Sequence, residues 1–168
     1  MLKRISILGV LVVTGVTLYS FFSGSSDKKV VQSLEALLPR LEAFGLSAYR
    51  NQDWCQVLVY NGLAFSSTNE ETCVFVAKME TKPFSSDANI KLQEVTKILS
   101  DAKIKIRSVE NVRFSDNKFD FVEFYEDCQC RTRYVYSPFY GKLPSDIPNE
   151  LTHHQIDSNW YRVEEDWN

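Results

Sequence analysis

The sequence lacks most of the devices by which enzymes and nucleic-acid binders declare themselves. It has no basic excess. Nineteen lysines and arginines face 22 acidic residues, for a net charge of −3, and a pI near 5.5 argues against a general nucleic-acid binder. There is no nucleotide-binding glycine loop, no internal repeat and no G-x-S-x-G nucleophile elbow. The familiar C-x-x-C redox pattern is also missing. Histidine occurs only at His153 and His154. Structural zinc takes cysteines with two to four residues between them and histidines with three to five between them; Cys128 and Cys130, with one residue between, and this adjacent pair match neither spacing. Adjacent histidines on a strand also point to opposite sides. No metal and no cofactor is therefore expected. Disorder is excluded by composition, since 44% of the chain is hydrophobic and 24% charged.

What is present begins with a long uncharged run. After Lys3 and Arg4, residues 5–22 read ISILGVLVVTGVTLYSFF. As a helix this run spans about 27 Å, close to a hydrocarbon core of about 30 Å. Tyr19, Phe21 and Phe22 suit an interfacial aromatic belt. The expectation is an uncleaved signal-anchor over 1–23 that contacts the lipid bilayer through residues 5–22. A cleaved signal peptide is the alternative, although no A-x-A site follows. The basic start leans toward a cytoplasmic N-terminus. That puts the remainder in the periplasm or outside the cell. With Lys3 and Arg4 set aside, the net charge of the remainder is −5.

Residues 24–27 read as a short linker, 28–137 as a globular domain, and 138–168 as a Pro- and aromatic-rich extension packed on it. Apolar spacing predicts a helix over 28–47 that kinks or restarts at Pro39 and stops at Gly45. Strand material follows over 54–66, with a hairpin at Asn61-Gly62, and TCVFVA at 72–77 reads as a third strand. A second helix is predicted over about 87–101, capped by Ser86 or Asp87. Strands are then predicted at about 104–114, 118–127 and 131–137, the first two joined by a turn at Ser115–Lys118. Phe119 and Phe121 would share one face of their strand, and Val122 and Phe124 the other. The expected fold class is α+β: an N-terminal transmembrane helix, then two helices packed on a mainly antiparallel sheet of five or six strands.

Two features carry candidate function. Cys55, Cys73, Cys128 and Cys130 form an even set in an exported domain, which predicts disulfides. Bridges from the 128/130 pair to Cys55 and Cys73 are favoured; they close loops of more than 50 residues. The sharper reading makes Cys128 and Cys130 a thiol–disulfide redox pair, with Arg131 and Arg133 lowering a thiol pKa. Aromatic residues also concentrate late in the chain. Tyr134, Tyr136, Phe139, Tyr140, Trp160 and Trp167 are candidates for a contact surface, or else they staple a loop over the core. Glu164, Glu165 and Asp166 read as a solvated charge run. The expected function is a membrane-anchored, extracytoplasmic binding or accessory domain with an envelope protein partner. A redox protein using Cys128 and Cys130 is the alternative, and a hydrolase whose site is assembled from distant residues is a weaker third.

Overall fold

In the computed structural model the described residues are 26–126, 132–138, 146–148 and 150–166. Helix α1 covers residues 26–35 and is followed after a turn by α2 (Leu38–Phe44). Pro39 sits in the first turn of α2, where its missing N–H costs nothing, so the expected kink or restart at this proline is a restart. Gly45 ends α2 at φ 73°. A Cβ there would lie 1.9 Å from Asn61 Oδ1, so both backbone angle and space call for glycine.

The strands are β1 (Leu46–Gln52), β2 (Cys55–Tyr60), β3 (Leu63–Ser66), β4 (Lys82–Pro83), β5 (Ser108–Ser115), β6 (Lys118–Tyr125), β7 (Thr132–Tyr136), β8 (Leu151–Gln155) and β9 (Trp160–Glu165). They form one sheet in the order β4-β3-β2-β1-β5-β6-β7-β9-β8. Every pairing is antiparallel except β3 with β4. Two hairpins use left-handed turn residues: Asn61 (φ 47°) with Gly62 (φ 74°), and Asp116 (φ 51°) with Asn117 (φ 62°). Their twist matches that of the flanking strands. Two further helices are α3 (Glu71–Ala77) and α4 (Ser86–Leu99). Ser85, one residue before the expected cap, accepts from Ala88 N at 3.1 Å and starts α4.

Helices α1, α2 and α4 cover one face of the sheet. Leu34, Leu41, Leu92 and Val95 meet Leu58, Val109, Val122 and Phe124 there. Helix α3 lies on the other face, where Cys73, Val76 and Ala77 pack against Ala48, Val57, Val59 and Ala64.

Several expectations are corrected. The sheet has nine strands rather than five or six, and the parallel pairing of β3 with β4 makes it mixed. No helix among the described residues is long and apolar enough to cross a membrane, so the expected transmembrane helix has no counterpart among them; residues 5–22 lie outside them. TCVFVA is helix α3, not a strand, because a helix over β2 buries Cys73 and Val76 on the sheet. Strand β1 follows Gly45 directly, and β8 carries the polar sequence LTHHQ. Neither offers a clean alternation to read. Residues 151–165 supply β8 and β9, so the sheet continues through the late segment. Phe119 and Phe121 do not share a face. Arg113 pairs with Phe121 and Phe114 with Phe119, which leaves Asp120 as a bulge. Phe119 thereby joins Val122 and Phe124 in the helix-covered core, while Phe121 packs with Val135, Tyr161 and Val163 on the other face. The N–H of Phe119 is taken by Glu42 of α2 at 2.8 Å.

Candidate functional site

The predicted site residues scatter. Cys55 and Cys73 bond to each other, with Cα atoms 5.6 Å apart. This replaces the favoured cross-links to 128 and 130: Cys55 opens β2, and α3 rests on β2, so the two sulfurs meet without a long loop. Both residues are fully buried. Cys128 and Cys130 lie outside the described residues, as do Phe139, Tyr140 and Trp167. Tyr134 and Trp160 are 3% and 1% exposed, so these two belong to the core and leave little ring surface for a partner. Tyr136 is partly buried and meets Trp160 in a tilted pair at 5.2 Å. Tyr134 also donates to Asp27 of α1 at 2.9 Å. Burial first, then Asp27, pushes its phenol pKa well up.

The acidic run is not simply solvated. Glu164 takes Arg162, and Glu165 takes Arg133. His153 faces Asp146 at 3.0 Å, and its backbone N–H, then its ring, holds the Asp146 carboxyl below its usual range. Among the described residues no three His, Cys, Asp or Glu side chains come together as a metal-binding group.

Two polar regions were not anticipated. The first lies on the sheet face that carries α3. Arg50, Ser108, Tyr125 and Arg133 stand side by side across β1, β5, β6 and β7. In the next row Glu110 and Glu123 face each other, a like-charge pair that would be unfavourable alone. Arg50 resolves one of these charges, 2.8 Å from Glu110, and Arg133 the other, 3.3 Å from Glu123. Glu123 also accepts from Tyr125 at 2.8 Å and from Asn111, and Lys78 reaches Asn111 in turn. Arg50 and Glu123 are 9% and 7% exposed. Burial and then the Glu123 charge raise the Tyr125 phenol far above its usual range, so it stays a donor. Burial opposes the charge on Arg133, but Glu123, Tyr125 and Glu165 outweigh it and raise its pKa. Every charge here is answered from within the chain. The cluster is a structural lock.

The second region is a groove on the opposite face, between α4, the end of β1 and the segment 100–107. It comprises two adjoining hollows of about 430 and 360 Å³ that share Asn51, Thr96 and Ser100. The floor is a directed hydrogen-bond chain. Thr96 Oγ1 donates its one proton to Leu92 O at 2.8 Å. Tyr49 must therefore donate to Thr96, at 3.0 Å. Asn51 Nδ2 also donates to Thr96, at 3.4 Å, and Gln56 Nε2 donates to Asn51 Oδ1 at 2.9 Å. Burial raises the Tyr49 phenol pKa, which keeps it protonated for this task. The chain fixes both amides in one orientation, with Asn89 and Gln93 beside them.

The rim is cationic. Lys97 leans in from α4, and Lys103, Lys105 and Arg107 follow at alternate positions. Ile104 and Ile106 between them pack into the first core, which turns the three cations outward. Among the described residues no carboxylate lines either hollow. Among the described residues none of the four cations is in an ion pair with an acidic side chain. The alternation KIKIR at 103–107 is the sequence signal for this rim; the strand expected from about 104 begins only at Ser108.

Comparison with known protein families, with curated proteins and with solved structures yields no match.

Proposed function

We propose that this chain is an exported, non-catalytic binding or accessory domain of the cell envelope, and that it holds its partner in the groove beside α4. The observation that carries this reading is a solvent-open groove in which Asn51 and Gln56 are fixed by internal hydrogen bonds and whose four rim cations lack acidic partners among the described residues. Charges that a fold uses for itself are paired, as on the opposite face. Charges left open and preorganised suit a partner. Among the described residues the groove lining contains no histidine, cysteine or carboxylate to act as nucleophile or general base. The buried Cys55–Cys73 bridge fits an oxidising compartment, and the uncharged run 5–22 fits delivery to the bilayer where export occurs. The redox alternative draws no support from Cys55 and Cys73, which are bridged and wholly buried.

The test is a photoreactive residue at Ser100 in the full chain, expressed in cells. A discrete adduct is expected there, and none from the same residue at Lys118, on the β5–β6 turn at the far end of the strands. Adducts at both positions, or at neither, would remove the groove as the binding surface.

A further inference from the structure

We infer that the ligand of this groove is an extended acidic polypeptide segment, with Asp or Glu at alternate positions. The inference rests on the binding reading above and names its chemical class.

Three observations converge on it. First, charge: a chain of net −3 gathers Lys97, Lys103, Lys105 and Arg107 along one groove that no carboxylate lines among the described residues. Such a local field selects an anion and speeds its capture. Second, spacing: Lys103, Lys105 and Arg107 lie two residues apart, so successive Cα atoms are at most about 7 Å apart. An extended peptide repeats its same-side side chains every 6.6–6.8 Å or so. The chain bends over 102–104, so the cations stand no farther apart than that repeat, and their long side chains let carboxylates on every second residue reach them. Third, the floor: Asn51, Gln56, Asn89 and Gln93 offer paired donor and acceptor groups, the complement of peptide N–H and C=O. The orientation of Asn51 and Gln56 is set by the chain ending at Leu92 O.

The same floor disfavours nucleic acid. Single strands are held by aromatic rings on which bases stack. The one aromatic ring lining the groove belongs to Tyr49, which is 2% exposed with its hydroxyl bound to Thr96. Three of the four cations are lysines, which act as point charges. The forked, bidentate geometry that favours phosphate is available only at Arg107.

The experiment measures binding of a fluorescein-labelled oligopeptide of alternating Glu and Ser to the full chain by anisotropy. Comparison probes are the matching Gln–Ser peptide, a single-stranded oligonucleotide and a sulfated polysaccharide. The acidic peptide should bind and the neutral one should not. Affinity should fall on raising salt from about 0.1 to 1 M, as the screening length shrinks from about 10 to 3 Å. Lys103→Glu with Lys105→Glu should weaken binding roughly tenfold or more, equivalent to about 1.4 kcal/mol. Lys82→Glu with Lys118→Glu makes the same charge change on β4 and the β5–β6 turn and should alter binding less than about twofold. Equal losses in both double variants, or no binding of the acidic peptide, would overturn the inference. Tighter binding of the oligonucleotide or the polysaccharide would overturn the polypeptide class. An adduct at Ser100 alongside such a result leaves the binding reading standing and removes only the ligand class.

Discussion

The two faces of the sheet treat charge in opposite ways. On the α3 side, Arg50, Glu110, Glu123, Arg133 and Glu165 are drawn in and bound to one another. On the α4 side, Lys97, Lys103, Lys105 and Arg107 surround a groove and bind no carboxylate among the described residues. The difference separates charges that hold the fold from charges that the fold holds out. Buried pairs are costly to break, because the survivor is left uncompensated. Exposed cations add little to stability. Location in the structure, and not residue type, decides which role an arginine or lysine takes.

That contrast can be broken from either side. The largest effect should come from Glu123→Ala, which strips Arg133, Tyr125 and Asn111 of their shared acceptor. A loss of about 3–5 kcal/mol is expected, read from denaturant unfolding. A loss below about 1 kcal/mol would show that this face is not a lock. Next, Cys55→Ser with Cys73→Ser should cost about 3 kcal/mol, the chain-entropy value for a loop of this size. The same unfolding assay, with the wild type under reducing conditions beside it, checks this.

A third test is alkaline. Tyr49, Tyr125, Tyr134 and Tyr136 all have raised phenol pKa values in the fold. A raised folded pKa means that the native chain holds protons the unfolded chain releases. The stabilisation is therefore whole below the ordinary tyrosine value near 10 and is lost as pH climbs above it. Phenolate absorbance should first report only part of the eight tyrosines. The rest should appear together with loss of near-UV circular dichroism. Complete titration without unfolding would contradict the burial. The smallest effect on stability should come from Lys103→Glu with Lys105→Glu, at most about 0.5 kcal/mol. A larger loss would mean that these lysines serve the fold after all.

Local signals were legible in the chain. Pro39 and Gly45 marked the boundaries of α2, Asn61-Gly62 and Asp116-Asn117 specified hairpins, and the spacing of Leu92, Val95 and Leu99 gave α4. What was not legible depended on distant partners. TCVFVA has the β-branched and aromatic content of a strand, yet the bridge from Cys73 to Cys55 and the bare face of β2 favour a helix. The Asp120 bulge turned Phe119 to the opposite face, and no alternation pattern reports an inserted residue. Tyr134 and Trp160 looked like binding residues because aromatic content alone does not distinguish a core from a surface. The lock on the α3 side joins residues from β1, β5, β6, β7 and β9, and only the strand order makes them neighbours. The groove was half visible: KIKIR is contiguous, but its floor comes from Tyr49, Asn51 and Gln56, about fifty residues earlier.

The strand order also has a kinetic meaning. Strands β1 to β4 come from residues 46–83 and β5 to β9 from residues 108–165, each group pairing within itself. Among the described residues one strand pairing joins the groups, where Tyr49 and Arg50 meet Val109 and Ser108, supported by Asn51 N donating to Arg107 O at 3.2 Å. The Arg50–Glu110 pair across this join spans 60 positions of chain. Closing so long a loop is entropically unfavourable, and contacts of such separation slow folding. Within each group the strands pair across shorter stretches of chain than the union of the two groups requires. Tyr49 and Asn51 reach the groove from one side of that union, and Ile106 and Arg107 from the other. The groove therefore exists only where the two halves of the sheet have met.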